Sequence, residues 1–205
     1  MLPFSMYKYR EVKQLVFDFV LKPLVEAYEI MKGENLRIVD YDENTITKKL
    51  VWYLKNRTSI AGLYQRKTIV IVMRPKEQAT IEETYEPDMK FFLGEVLWME
   101  IEAKRFYKGN NWSTSEYLSD NDGVGRFLSG KYSKNETYGG MVGYVQSGNL
   151  QDVISSIKSG LMVKNCRQCQ DVADVKKCLV SIHYRLNDDD IEIYHLFLYF
   201  SSTNN

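Results

Sequence analysis

Between Tyr7 and Met31 the apolar residues Val12, Leu15, Val16, Phe19, Val20 and Leu24 recur at intervals of three and four, the spacing of one buried helix face. Gly33 is a stop signal, and Pro23 within the run predicts a kink or a split, because proline lacks a donor and clashes with the preceding turn. A second helix is predicted to open at Asp42-Glu43-Asn44-Thr45, with Ile46, Leu50, Val51 and Leu54 as its stripe and Asp42 as N-cap. The rhythm then changes. Thr68–Met73 is a β-branched strand, residues 80–85 alternate weakly as a short strand or loop, and Phe91–Ile101 is apolar enough for a central strand. Gly94 and Glu95 predict a bend or bulge in that strand.

A turn-rich loop follows from Phe106 to Trp112, then a helix-and-turn stretch from Ser115 to Tyr132. Met141–Gln146 reads as a strand, Asn149 as the cap of a helix over Leu150–Leu161, and Cys178–Leu186 with Ile191–Phe200 as a hairpin closed by Asn187-Asp188-Asp189-Asp190. Strands alternating with helices predict an α/β fold, a mixed sheet flanked by helices. The expected organisation is one domain, with an N-terminal helical extension (1–33), a core (40–160) and a C-terminal β-hairpin region (161–205).

Composition alters this picture little. The chain has 205 residues, 44% hydrophobic and 26% charged, as in ordinary globular domains. Lys and Arg number 27 and Asp and Glu 27, which argues against a protein that coats DNA through bulk charge but leaves room for a local basic groove. No apolar run is long enough for a membrane span. The N-terminus lacks the order of a signal peptide and the cysteines (Cys166, Cys169, Cys178) are odd in number, so a cytoplasmic, reducing location is expected.

The candidate chemistry centres on Pro87-Asp88 and Glu102-Ala103-Lys104. In a strand, residues two apart share a face, so Glu102 and Lys104 project together. Two carboxylates and an amine converging on one spot suit a divalent metal and a charged oxyanion. The alternative is a cross-face ion pair on a half-buried strand. Proline-aspartate followed by Glu-x-Lys at the end of an apolar strand resembles the PD-(D/E)XK nuclease superfamily, the restriction-endonuclease-like fold, over about residues 40 to 160. The stretch Gly125-Arg-Phe-Leu-Ser-Gly-Lys-Tyr132, followed by Gly139-Gly-Met-Val-Gly-Tyr-Val145, is similar to bacterial proteins of that superfamily, some associated with defence against phage.

The resemblance implies a Mg²⁺-dependent nuclease, with Mn²⁺ as substitute, hydrolysing phosphodiester bonds in nucleic acid, DNA above all. Asp88 and Glu102 would be metal ligands, the Ala103 carbonyl a third, and Lys104 would orient or deprotonate the water or stabilise the transition-state charge. A preceding helix often adds an acidic residue in that superfamily. Glu43 matches, with Asp42, Asp40 and Glu34 as competitors, and its other reading is a surface residue favourable to the helix dipole. Arg105 and Lys108 beside the motif, and Arg126, Lys131 and Lys134 with Tyr132 and Tyr138, are candidate phosphate and base contacts or a solvated helix end. Cys166-x-x-Cys169 with Cys178 and His183 forms half of a zinc pattern, and free thiols explain it better. His183 and His195 in partner strands read as a buried hydrogen-bonded pair rather than a second site. The rival to catalysis is a silent nuclease-fold binding or assembly module in a multi-protein defence system, with a homodimer or a partner subunit as its associate.

Overall fold

In the computed structural model of the chain, residues 12–34, 36, 38–74, 77–78, 84–107, 114–164, 166–173, 175–185 and 190–200 are described. The start of the first helix at residues 7–11, the segment 80–83, the loop 108–113 and the hairpin turn 187–189 lie outside them.

The N-terminal helix is continuous. α1 (Val12–Val16) passes through a π segment, Phe17–Leu21, into α2 (Lys22–Gly33). The Lys22 N–H reaches back five residues to the Phe17 carbonyl, so the wider turn absorbs the irregularity at Pro23 without splitting the helix. Asp42 caps α3 (Glu43–Arg57), its Oδ1 accepting from the Thr45 N–H at 2.7 Å, and α3 buries Ile46, Leu50, Val51 and Leu54 as expected. The short α4 (Ala61–Gln65) leads into the sheet.

The sheet opens as an antiparallel meander of β1 (Val70–Met73), β4 (Met89–Leu93) and β5 (Leu97–Phe106), with a separate ribbon of β2 (Glu77–Gln78) and β3 (Thr84–Tyr85) between β1 and β4. The expected single strand over Phe91–Ile101 is therefore two. Gly94, at φ +56°, turns the chain, and the Val96 N–H closes on the Leu93 carbonyl at 3.2 Å. A left-handed residue is inexpensive only where no Cβ is present. This hairpin is what brings the two halves of the motif face to face.

From β5 the chain crosses through α5 (Thr114–Tyr117) and α6 (Val124–Leu128) to β6 (Tyr138–Val145), parallel to β5. α7 (Leu150–Val163), capped by Asn149, leads to β7 (Cys166–Asp171), a strand with no strong apolar pattern. β8 (Cys178–Tyr184) and β9 (Asp190–Tyr199) form the predicted antiparallel hairpin. The seven-stranded order is β1-β4-β5-β6-β9-β8-β7, so β9 lies inside the sheet, parallel to β6. One core lies between one sheet face and α1 to α3, around Leu24, Leu50, Ile101 and Val142. The other lies under α5 to α7, around Tyr117, Phe127, Met141 and Ile157. The fold is thus α/β, a mixed sheet with helices on both faces. No described helix is long and apolar enough to cross a membrane.

Candidate functional site

The β4–β5 register pairs Met89 with Ile101, so continuing the ladder by one residue sets Asp88 opposite Glu102. Asp88 is 4% exposed and its Oδ2 accepts the Ala103 N–H at 2.8 Å. Glu102, also 4% exposed, accepts at Oε1 from Lys104 Nζ at 2.7 Å and from Arg126 Nη1 at 3.3 Å. The same-face projection of Glu102 and Lys104 follows from strand alternation, as anticipated. Arg126 arrives from α6 by a different route. A Cβ on Gly139 would stand 2.6 Å from the Phe127 ring, so the glycine lets α6 settle on β6 with the adjacent Arg126 beside Glu102.

Glu43 approaches from the first turn of α3. Its carboxylate lies within electrostatic reach of Lys104, Asp88 and Arg105. Burial pushes its carboxyl up to about 7, Asp88 adds to the rise, and Lys104 opposes it. Glu102 is likewise pushed up to about 7 by burial, with Asp88 contributing and Lys104 and Arg126 pulling down. A close ammonium ordinarily lowers a carboxyl pKa, so desolvation and carboxylate crowding win here. For Lys104, burial alone would lower the pKa, but Glu102, Glu43 and Asp88 together raise it. Lys104 is therefore an ammonium at neutral pH, and two carboxylates hold protons more tightly than they would in water.

Beside this cluster opens a polar cleft of about 340 Å³ lined by Asp42, Glu43, Asn44, Arg74, Arg105, Tyr107 and Glu116. The Arg74 guanidinium bonds Asn44 Oδ1 and reaches Asp88 Oδ1 at 3.3 Å. Arg105 donates to the Tyr41 carbonyl at 3.4 Å and stacks on the Tyr107 ring at 5.3 Å. The sequence reading did not single out Arg74. Its signal was position alone, at the end of the strand that pairs with β4.

The structure thus brings Glu43, Asp88, Glu102 and Lys104 together, with Ala103 between them. Asp42, one of the competitors to Glu43, is committed to capping α3. Glu34 bonds the Tyr53 hydroxyl and pairs with Arg57 at 3.5 Å. Among the proposed nucleic-acid contacts, Arg105 faces the cleft, while Arg126 engages Glu102, Asp122, the Asn121 carbonyl and the Tyr132 hydroxyl. Tyr132 is fully buried and its OH donates to the Glu86 carbonyl at 3.0 Å, which corrects its reading as a base contact. Tyr138 is half-buried against the Tyr194 ring, with centroids 6.4 Å apart. Lys131 is exposed, away from the cleft lining, and Lys108 lies outside the described residues.

The cysteines are free thiols. Among the described residues no group of three or more His, Cys, Asp or Glu stands arranged to hold a metal ion. The histidines form a buried relay. Tyr117 OH lies 3.0 Å from His195 Nδ1, Ser181 Oγ 2.7 Å from His195 Nε2 and 2.8 Å from His183 Nε2, and His183 Nδ1 3.2 Å from the Lys164 carbonyl. The carbonyl only accepts, so His183 carries its proton on Nδ1, Ser181 donates to His183, His195 donates from Nε2, and Tyr117 donates to His195. The whole chain of bonds is satisfied with both rings neutral.

No match for the chain is found among protein-family models, curated proteins or solved structures.

Proposed function

We propose that the chain is a metal-dependent nuclease of PD-(D/E)XK type, with restriction-endonuclease-like architecture, hydrolysing phosphodiester bonds in DNA. The observation that carries the proposal is the convergence of Asp88, Glu102, Lys104 and Glu43 from the β4–β5 hairpin and the first turn of α3. The donor types suit the ion, although no three of these carboxylates stand preassembled around one point. Carboxylate oxygens are the hard ligands that Mg²⁺ or Mn²⁺ takes. Burial pushes Glu43 and Glu102 up to about 7 and Asp88 adds to the rise, so a divalent ion would offset the cost of keeping these buried carboxylates ionised. Asp88 and Glu102 would hold it, with Glu43 and the Ala103 carbonyl completing the set. Such an ion supplies a water acidic enough to ionise near neutral pH and draws charge from the phosphate.

Lys104, held as an ammonium by the surrounding carboxylates, donates to the developing phosphate charge rather than removing a proton from water. Asp88, by gripping the Ala103 N–H, fixes the backbone between Glu102 and Lys104. Glu102→Gln and Lys104→Ala are each expected to slow Mg²⁺-dependent cleavage of plasmid and single-stranded DNA by about 10²-fold or more. Cleavage by both variants at the wild-type rate would end the proposal.

One observation favours the second reading, a silent binding or assembly module: Glu102 and Asp88 already have cationic partners in Lys104, Arg126 and Arg74. A melting temperature that does not move with Mn²⁺, or that moves equally in Asp88→Asn, favours that module.

A further inference from the structure

The three cations that touch the buried carboxylates differ in freedom. Lys104 and Arg126 are held inside the fold, with side chains 16% and 24% exposed, while Arg74 is 41% exposed and faces the polar cleft. The Arg74 backbone is fixed. Its N–H donates to the Asp88 carbonyl at 3.0 Å and its φ is +48°, in the left-handed region that non-glycine residues seldom enter. A residue kept there needs its surroundings to hold it. A pinned Cα and an exposed guanidinium make a pivot and an arm. The arm bonds Asn44 Oδ1 on the first turn of α3 and rests on Asp88 Oδ1, the oxygen opposite the one committed to Ala103.

Resting on the nuclease reading above, we propose that Arg74 is a substrate-binding arm that exchanges Asp88 for a phosphate of the nucleic-acid strand when a divalent cation takes its place on the carboxylate. A cation and a guanidinium compete for one carboxylate oxygen, so metal entry releases the arm. The released guanidinium is a planar fork suited to two phosphate oxygens. Arg105, supported by the Tyr107 ring, is the second guanidinium lining this cleft, which Asp42, Glu43 and Glu116 also line. Arg74 thus couples metal loading to strand binding: each ligand removes a competitor or supplies a partner for the other.

The test uses the full chain and two probes, Mn²⁺ alone by calorimetry and a fluorescent single-stranded oligodeoxynucleotide in Ca²⁺ by anisotropy. Arg74→Gln removes the competing charge, so its Kd for Mn²⁺ is expected to fall by about threefold to fivefold. Its Kd for the oligonucleotide should rise by about tenfold, and Arg74→Lys should recover part of that loss. These opposite movements are the signature, since general damage to the fold weakens both ligands. If wild type binds Mn²⁺ but Arg74→Gln binds it equally or more weakly, the exchange is wrong while the nuclease reading stands. If wild type binds no Mn²⁺, the nuclease reading falls and takes the exchange with it.

Discussion

Two buried polar clusters sit in the same sheet, and they are built on opposite principles. In the relay of Tyr117, His195, Ser181 and His183, donors and acceptors alternate from end to end and finish on the Lys164 carbonyl. Burial lowers both imidazole pKa values, that of His195 to about 3, so the relay carries no charge. In the cluster around Asp88 and Glu102, charges are gathered instead, and burial with carboxylate crowding drives Glu43 and Glu102 up to about 7. A closed network that satisfies itself stabilises a fold. A crowded one gains from a ligand. The difference separates a structural polar core from a candidate site without appeal to residue type.

The largest stability effect is expected in the relay. His195→Leu leaves the Tyr117 hydroxyl and Ser181 without their buried partner and should cost about 3 kcal/mol by urea unfolding. Mn²⁺ binding, read by calorimetry at a low temperature where the variant is folded, should match that of wild type. A loss below about 1 kcal/mol would mean the relay is not structural.

The second contrast is in pH. His195 is neutral in the fold with its pKa lowered to about 3, so its share of stability is complete above the free-imidazole value of about 6.5 and drains away as pH falls. Glu102 runs the other way. Its raised pKa, about 7, favours the fold below the free-carboxyl range, and that contribution is lost as pH rises from about 4.5 to 7. Glu102→Gln should therefore gain on wild type by on the order of 2 kcal/mol across that window, read as the difference between their unfolding free energies at each pH. A difference that stays flat with pH would mean that Glu102 is not crowded.

The smallest effect tests how the site hangs on α3. Asp42→Ala removes the N-cap and should cost about 1 kcal/mol. Because Glu43 is the next residue, Mn²⁺ affinity should weaken with it, while hydrogen exchange in β8 and β9 stays unchanged. Loss of protection in those strands instead would show that the two clusters are not independent.

The parts of this molecule legible in the sequence are those set by short-range periodicity. Glu102 and Lys104 share a face because strands alternate, and Asp42 caps α3 because its side chain reaches only three residues on. Phe91–Ile101 misled because its apolar flanks read as one strand, and the bend signalled by Gly94 and Glu95 is a complete hairpin turn between two strands. β7 was missed because Cys166–Asp171 is mostly polar and exposed, an edge strand held by pairing with β8 rather than by burial. Arg126 beside Glu102 depends on α6 settling over Gly139, and Arg74 beside Asp88 on a left-handed backbone, neither of which leaves a periodic trace. His183 and His195 fell on paired strands as read, but Tyr117, which closes the relay, comes from a four-residue helix far away in the chain.

The place of β9 has a consequence for how the sheet closes. It follows every other described strand in sequence, yet it is the bridge between β6 and the β7–β8 pair. Without its pairing, β6 would show a bare hydrogen-bonding edge and β7–β8 would have no sheet to join. A sheet lacking β9 would expose that edge while still carrying Asp88, Glu102 and Lys104 in the β4–β5 hairpin. β9 also delivers His195 to Ser181. Convergence of the motif residues and closure of the histidine relay thus rest on different strand pairs of the sheet.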